Sequence, residues 1–239
     1  MKKEDIELAA FESFLHLSGK SFDRYQSANP PEPDLVAWCQ NEKFGIEVTN
    51  FHRRLEKTRE GEQDKIIDLA CQYYEAMGGT FIDVSVCWAP RFEVARKDRD
   101  RLARKLAALA SANVPPLRSL VNLDWRSFEP ELIQAVDHVA INRLIDYKRN
   151  TWHAAGGGIV PDWEQETLQN ELNRKNGKPA KYRDNYAEVW LLIVSVFGAP
   201  SSWMEMTDAA RNATYQSAFN RVFLLSSFPL AVFELQVRT

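Results

Sequence analysis

The stretch PPEPDLVAWCQNEKFGIEVTNFH, residues 30–52, decides how the rest of the chain is read. DLVAWC and KFGIEVT are short runs rich in β-branched and aromatic residues, the composition of strands. The polar stretch Gln40-Asn41-Glu42-Lys43 separates them, so the pair reads as a hairpin. With those four residues as the turn, Cys39 faces Phe44, Val36 faces Glu47 and Asp34 faces Thr49. Opposed residues share a sheet face, as do residues two apart, so Asp34, Glu47 and Thr49 point to one side. A two-residue slip of register preserves that arrangement, whereas a one-residue slip destroys it.

Two carboxylates aimed at one point repel each other unless a cation sits between them. Mg²⁺ (or Mn²⁺) suits such a pair, because it takes hard oxygen ligands and completes its shell with water and phosphate. A metal so held polarises a phosphodiester and lowers the pKa of a bound water. Lys43 cannot serve this site: at about 3.3 Å per residue it lies roughly 20 Å from Thr49 along the strand.

The apolar pattern outside the hairpin predicts an amphipathic helix over residues 4–18, stopped by Gly19, then the proline loop SANPPEP. A helix is expected over 61–79, a strand over 80–88 and a helix over 95–112. LRSLVNL, HVAINRL and WHAAGGGIV read as strands, and DWEQETLQNELNRK as a helix stopped by Gly177 and Pro179. EVWLLIVSVF has the unbroken apolar character of a central buried strand, and RVFLLSSF and AVFELQV follow as strands. The expectation is one α+β domain over residues 1–239 with a mixed sheet flanked by helices.

The order helix, strand opening on Pro33-Asp34, strand carrying Glu47-Val48-Thr49, helix, strand resembles the PD-(D/E)xK nuclease superfamily, the restriction-endonuclease-like fold. The resemblance covers roughly residues 4–87, and implies an αβββαβ core that residues 88–239 extend with further strands of the same sheet. LNRKNGKPAKY fits a Leu-x-x-Lys-x-x-Lys-x-x-x-Tyr pattern before an apolar strand. It resembles a segment of uncharacterised bacterial and phage-type proteins sharing this core. The resemblance implies a metal-dependent nuclease acting on DNA. Asp34 and Glu47 would hold Mg²⁺ or Mn²⁺, joined by a glutamate of the first helix, for which Glu12 is chosen over Glu4 and Glu7. Thr49 stands where the family has lysine; it would orient water, and Lys65 on the following helix would supply the missing charge. Lys175 and Lys178 are further candidates if their helix folds over the sheet edge, and would otherwise contact nucleic acid. By analogy, a nuclease cutting both strands would be a two-fold homodimer.

His52-Arg53-Arg54 follows the second strand and could hold a phosphate, or be a polar loop. The run RKDRDRLARK could track a phosphate backbone, but its interleaved aspartates favour a solvated, ion-paired face. Three consecutive glycines at 156–158 lack the spacing of a dinucleotide site and read as a turn. Trp152 and Trp163 could stack bases, though burial is the expected fate of both.

The chain of 239 residues is 45% apolar and 26% charged, ordinary values for a folded globular protein. Its net charge of −3 argues mildly against a protein whose main work is coating nucleic acid. No apolar run is long enough to span a bilayer, and MKKEDIELAAFESF reads as a helix rather than a signal peptide. Three widely spaced cysteines, each in an apolar pattern, read as buried free thiols of a cytoplasmic protein, and neither they nor the four histidines have zinc-type spacing. Two functional classes follow: a Mg²⁺-dependent deoxyribonuclease, or a catalytically inactive member of the same fold that binds nucleic acid or a protein partner.

Overall fold

The computed structural model describes residues 2–89, 92–155, 160–182, 185–195 and 200–238. It is α+β, with mixed sheets flanked by helices, and divides into two compact units, residues 1–52 with 159–239 and residues 53–158. The αβββαβ core expected over 4–87, with its sheet continued through 88–239, is instead divided at residue 53: helix 54–76 and strand 83–88 belong to the second unit, and each unit has a sheet of its own.

In the first unit, helix α1 (Lys3–Ser18) ends where Gly19 takes the left-handed conformation at φ 68°. Seven strands follow the order β1-β2-β3-β8-β10-β11-β9. They are β1 (Arg24–Ser27), β2 (Leu35–Cys39), β3 (Glu42–Phe51), β8 (Glu188–Ser195), β9 (Thr214–Gln216), β10 (Arg221–Ser227) and β11 (Leu230–Arg238). β3, β8 and β10 run parallel, while β1-β2-β3 and β10-β11 are antiparallel. Parallel central strands covered on both sides need apolar residues at successive positions, and seven of the eight residues of β8 are buried.

One sheet face carries Leu35, Ile46, Val48 and Leu192, which pack with Phe11 and Phe14 of α1. Each fully buried phenylalanine contributes roughly 1.5–3 kcal/mol of transfer free energy. The opposite face carries Val36, Phe51, Leu191 and Ile193, which pack with Leu168 and Leu172 of α5 (Gln165–Lys175). Trp163 is buried against Phe51, with ring centroids 4.2 Å apart. The short helix α6 (Asp208–Asn212) is capped by Thr207, whose hydroxyl accepts the Ala210 N–H.

The hairpin turn is two residues, not four. Gln40 and Asn41 both have positive φ, 50° and 72°, and Cys39 pairs with Glu42. Two left-handed residues match the right-handed twist of the flanking strands, so the tighter loop wins. The register shifts by two from the expected one, with Leu35 opposite Ile46 and Val36 opposite Gly45. Parity is kept, and continuing the ladder one step sets Asp34 opposite Glu47.

The second unit has a four-stranded sheet in the order β5-β6-β4-β7: β4 (Asp83–Trp88), β5 (Ser119–Leu123), β6 (Val136–Arg143) and β7 (Thr151–Ala154). Helices α2 (Arg54–Ala76) and α3 (Arg99–Ala112) cover one face, burying Ile66, Ala70, Leu102 and Leu106 against Val84, Val86, Val139 and Ile141. Helix α4 (Pro130–Ala135) leads directly into β6. The basic run of 96–105 is an ion-paired face: Arg101 meets Asp98 at 2.8 Å, Arg104 meets Asp100 at 2.8 Å, and Lys105 meets Glu129 and Glu131. The glycines at 156–158 lie outside the described residues. Among the described residues, no helix is long and apolar enough to cross a membrane.

Candidate active site

A cavity of about 420 Å³ opens in the first unit where β2 ends and β3 runs on alone beside β8. Pro33 precedes Asp34 and packs against β3 at Gly45. A Cβ on Gly45 would lie 3.0 Å from the Pro33 ring and 3.2 Å from Tyr186, so a glycine in β3 is what lets both rings close on the strand. Asp34 follows, and its Oδ2 accepts the Val48 N–H at 3.0 Å. That bond extends the ladder past the end of β2 with a side chain and fixes the carboxylate beside β3.

Three carboxylates line the cavity: Glu7 from α1, Asp34, and Glu47 from β3. Glu47 is 1% exposed. Its Oε1 accepts the Tyr182 hydroxyl at 2.8 Å and lies 3.5 Å from Lys178 Nζ. Lys3 Nζ reaches Glu7 at 2.9 Å and Asp34 at 3.3 Å. Burial pushes the Glu7 carboxyl above the usual glutamate range; Lys3 opposes this, and the negative charges of Asp34 and Glu47 add to it. The hydrogen bond to Glu7 raises Lys3 in turn. Burial likewise raises the Tyr182 hydroxyl, reinforced by its hydrogen bond to Glu47. The arrangement is a converging negative field, partly neutralised by lysines on the rim.

No family model, curated protein or solved structure matches this chain.

The structure brings Asp34, Glu47, Thr49, Lys175 and Lys178 to one cavity. The other expected site residues are not among those that line it. Glu12 is exposed and accepts a hydrogen bond from Tyr25 at 3.3 Å; Glu7 is the helix glutamate at the cavity. Five residues along a helix is a rotation of about 140°, so the two glutamates cannot face one point. Lys65 lies in the second unit and pairs with Glu62 at 3.0 Å, while the lysine beside Glu47 is Lys178. Thr49 is buried and donates its hydroxyl to Glu171 of α5 at 3.2 Å, so that proton is committed to a carboxylate rather than to water. Arg174 closes this group by pairing with Glu171. His52 lies 3.1 Å from the Ser201 hydroxyl, Arg53 pairs with Glu56 at 2.9 Å, and Arg54 is the exposed first residue of α2.

Lys3, Glu171 and the role of Tyr182 are not marked by any sequence pattern, and Glu7 was weighed there but passed over for Glu12. One signal for Glu7 was available. Glu7, Phe11 and Phe14 are spaced four and three apart, so the glutamate opens the buried stripe of α1, an expensive place for a carboxylate without a function.

Three carboxylates in one pocket are an all-oxygen donor set, which fits Mg²⁺ or Mn²⁺ and disfavours softer ions. Burial is the main cause of the raised Glu7 pKa, and the charges of Asp34 and Glu47 add a like-charge crowding that a divalent cation would relieve.

Proposed function

We propose that the chain is a metal-dependent nuclease of the restriction-endonuclease-like type that hydrolyses DNA phosphodiesters. The observation that carries this reading is the convergence of Glu7, Asp34 and Glu47 on one cavity with Lys178 3.5 Å from Glu47. Asp34 and Glu47 would hold Mg²⁺ or Mn²⁺, with Glu7 as the third carboxylate. The bound metal supplies Lewis acidity and an acidified water.

The chain's own residues carry the rest. Lys178 takes the place of the lysine that Thr49 lacks, entering from the segment after α5 rather than from β3. Its ammonium is fixed beside the carboxylate and is suited to stabilising charge that develops on a phosphate oxygen. Lys175 lines the same cavity and can hold an adjacent phosphate. Tyr182 holds Glu47 in position by donating to Oε1. Thr49, Glu171 and Arg174 tie α5 to β3, which keeps the lysine-bearing segment over the carboxylates.

The test is cleavage of supercoiled plasmid and single-stranded DNA with Mg²⁺ or Mn²⁺, comparing wild type with Asp34→Ala and Glu47→Ala. The expected result is metal-dependent cleavage lost in both variants and on chelation. Cleavage untouched by both substitutions places the activity elsewhere. No cleavage by wild type, together with retained DNA binding, replaces the enzyme with a binding module.

A further inference from the structure

A second group of ligating side chains lies in the other unit, on the face of its sheet away from α2 and α3. Cys87 of β4 and His138 of β6 are register partners, and the next rung pairs Trp88 with Val136. Asp137 is therefore an extra residue, a bulge in β6. The burial pattern shows the consequence: Val136 and Val139 are buried, while the two residues between them, Asp137 and His138, both face outward. In a regular strand consecutive side chains point to opposite faces; a bulge re-aims one of them. Here it turns Asp137 to the side of His138, directly across from Cys87.

One ligand atom from each of the three residues lies within 4.8 Å of the other two. Asp137 Oδ2 and His138 Nδ1 are 3.1 Å apart. Zn²⁺ bonds sulfur at about 2.3 Å and nitrogen or oxygen at about 2.0–2.2 Å, so tetrahedral ligand atoms stand about 3.4 Å apart. Asp137 and His138 are exposed and Cys87 is half-buried, so the two exposed side chains are the ones that would adjust to that spacing. Thiolate, imidazole and carboxylate together select Zn²⁺ over the hard ions that suit an all-oxygen pocket.

We propose that Cys87, Asp137 and His138 form a Zn²⁺ site with three protein ligands and a fourth position open to water. Binding releases the Cys87 thiol proton to solvent and puts the cation in place of the hydrogen bond between Asp137 and His138, which ligates through the neutral imidazole. Three ligands and an open position are the pattern of reactive rather than structural zinc. The site stands apart from the carboxylate cavity in residues and in metal preference, and does not depend on the nuclease reading.

The test is titration of the full chain with Co²⁺ as a Zn²⁺ surrogate, in excess Mg²⁺ to occupy the carboxylate cavity. One equivalent of Co²⁺ is expected to produce thiolate-to-cobalt charge-transfer absorption, removed by stoichiometric Zn²⁺. Cys87→Ser should abolish the band, while Cys39→Ser and Cys71→Ser retain it. His138→Ala and Asp137→Asn alter exposed side chains and should weaken binding by more than the roughly 10–100-fold that outer-shell changes cost. Absence of the band in wild type overturns the proposal. So does a band that survives Cys87→Ser, one that disappears with another cysteine, or affinity unchanged in His138→Ala.

Discussion

Tyr182→Phe removes one hydroxyl and leaves the ring that packs in the core beside Tyr186. Among the described residues, the hydroxyl and Lys178, at 3.5 Å, are the groups at Glu47 Oε1, and the carboxylate is 1% exposed. A hydrogen bond to a charged acceptor contributes about 1.5–3 kcal/mol, and its loss here is not repaired by solvent. At roughly 2–4 °C per kcal/mol for a chain of this size, Tm should fall by about 3–12 °C. Urea unfolding followed by tryptophan fluorescence measures the difference directly, with an unchanged m-value as the check that compactness is unaltered. The pH dependence supplies a second arm. The Tyr182 pKa is raised above its ordinary 10.0, so the folded state keeps a proton that the unfolded state gives up first. Its contribution is whole below pH 10 and declines as pH rises through the folded value. The gap between wild type and variant should therefore be flat through neutral pH and narrow only in strong alkali. A loss below about 0.5 kcal/mol, the scatter of ordinary surface substitutions, would refute the bond's role, as would a gap that closes near neutrality.

Lys178→Met should lower metal-dependent DNA cleavage by about 100-fold or more, the scale of losing one charge-stabilising donor. Mg²⁺ affinity, read by isothermal titration, should weaken on acidification at a pH above the ordinary glutamate range. Glu7 must give up its proton to bind metal, and Glu7→Gln should remove that inflection. Without metal the sign reverses for folding: between 4.5 and the raised value the native state holds more protons, so Glu7's contribution to stability falls as pH rises. In the hairpin, Gln40→Asn with Asn41→Gly suits the two left-handed turn positions and should raise stability by about 1 kcal/mol in urea unfolding.

The hairpin parity was legible because strand alternation tolerates the one error made, a turn too long by two residues. Helix α1 and the buried strand β8 were legible for the same reason: periodicity and apolar continuity are local. Strand β1 was missed because RYQS, half exposed at the sheet edge, has no apolar alternation to read. The division into two sheets was illegible because strand partners are chosen by long-range packing that no local pattern records. Within the site, the pairing of Glu47 with Lys178 and Tyr182 spans more than a hundred residues, so the resemblance pointed first to Lys65 on the following helix and to Lys178 only as a further candidate. The Cys87, Asp137 and His138 cluster was invisible for a similar reason: two ligands meet only across a strand pair, and the third is aimed by a bulge.

The cavity draws Glu7, Asp34 and Glu47 from before residue 53 and Lys175, Lys178 and Tyr182 from after residue 158, with the whole second unit threaded between them. During synthesis, then, a ribosome delivers the acidic half of the pocket early and must translate an entire inserted body before the basic half emerges. Until Tyr182 and β8 have left the exit tunnel, the nascent polypeptide carries Glu47 without Lys178 or Tyr182, and Lys3 is the lysine that attends the acidic half. Any chemistry housed there is withheld from a half-made chain by the order of its own residues.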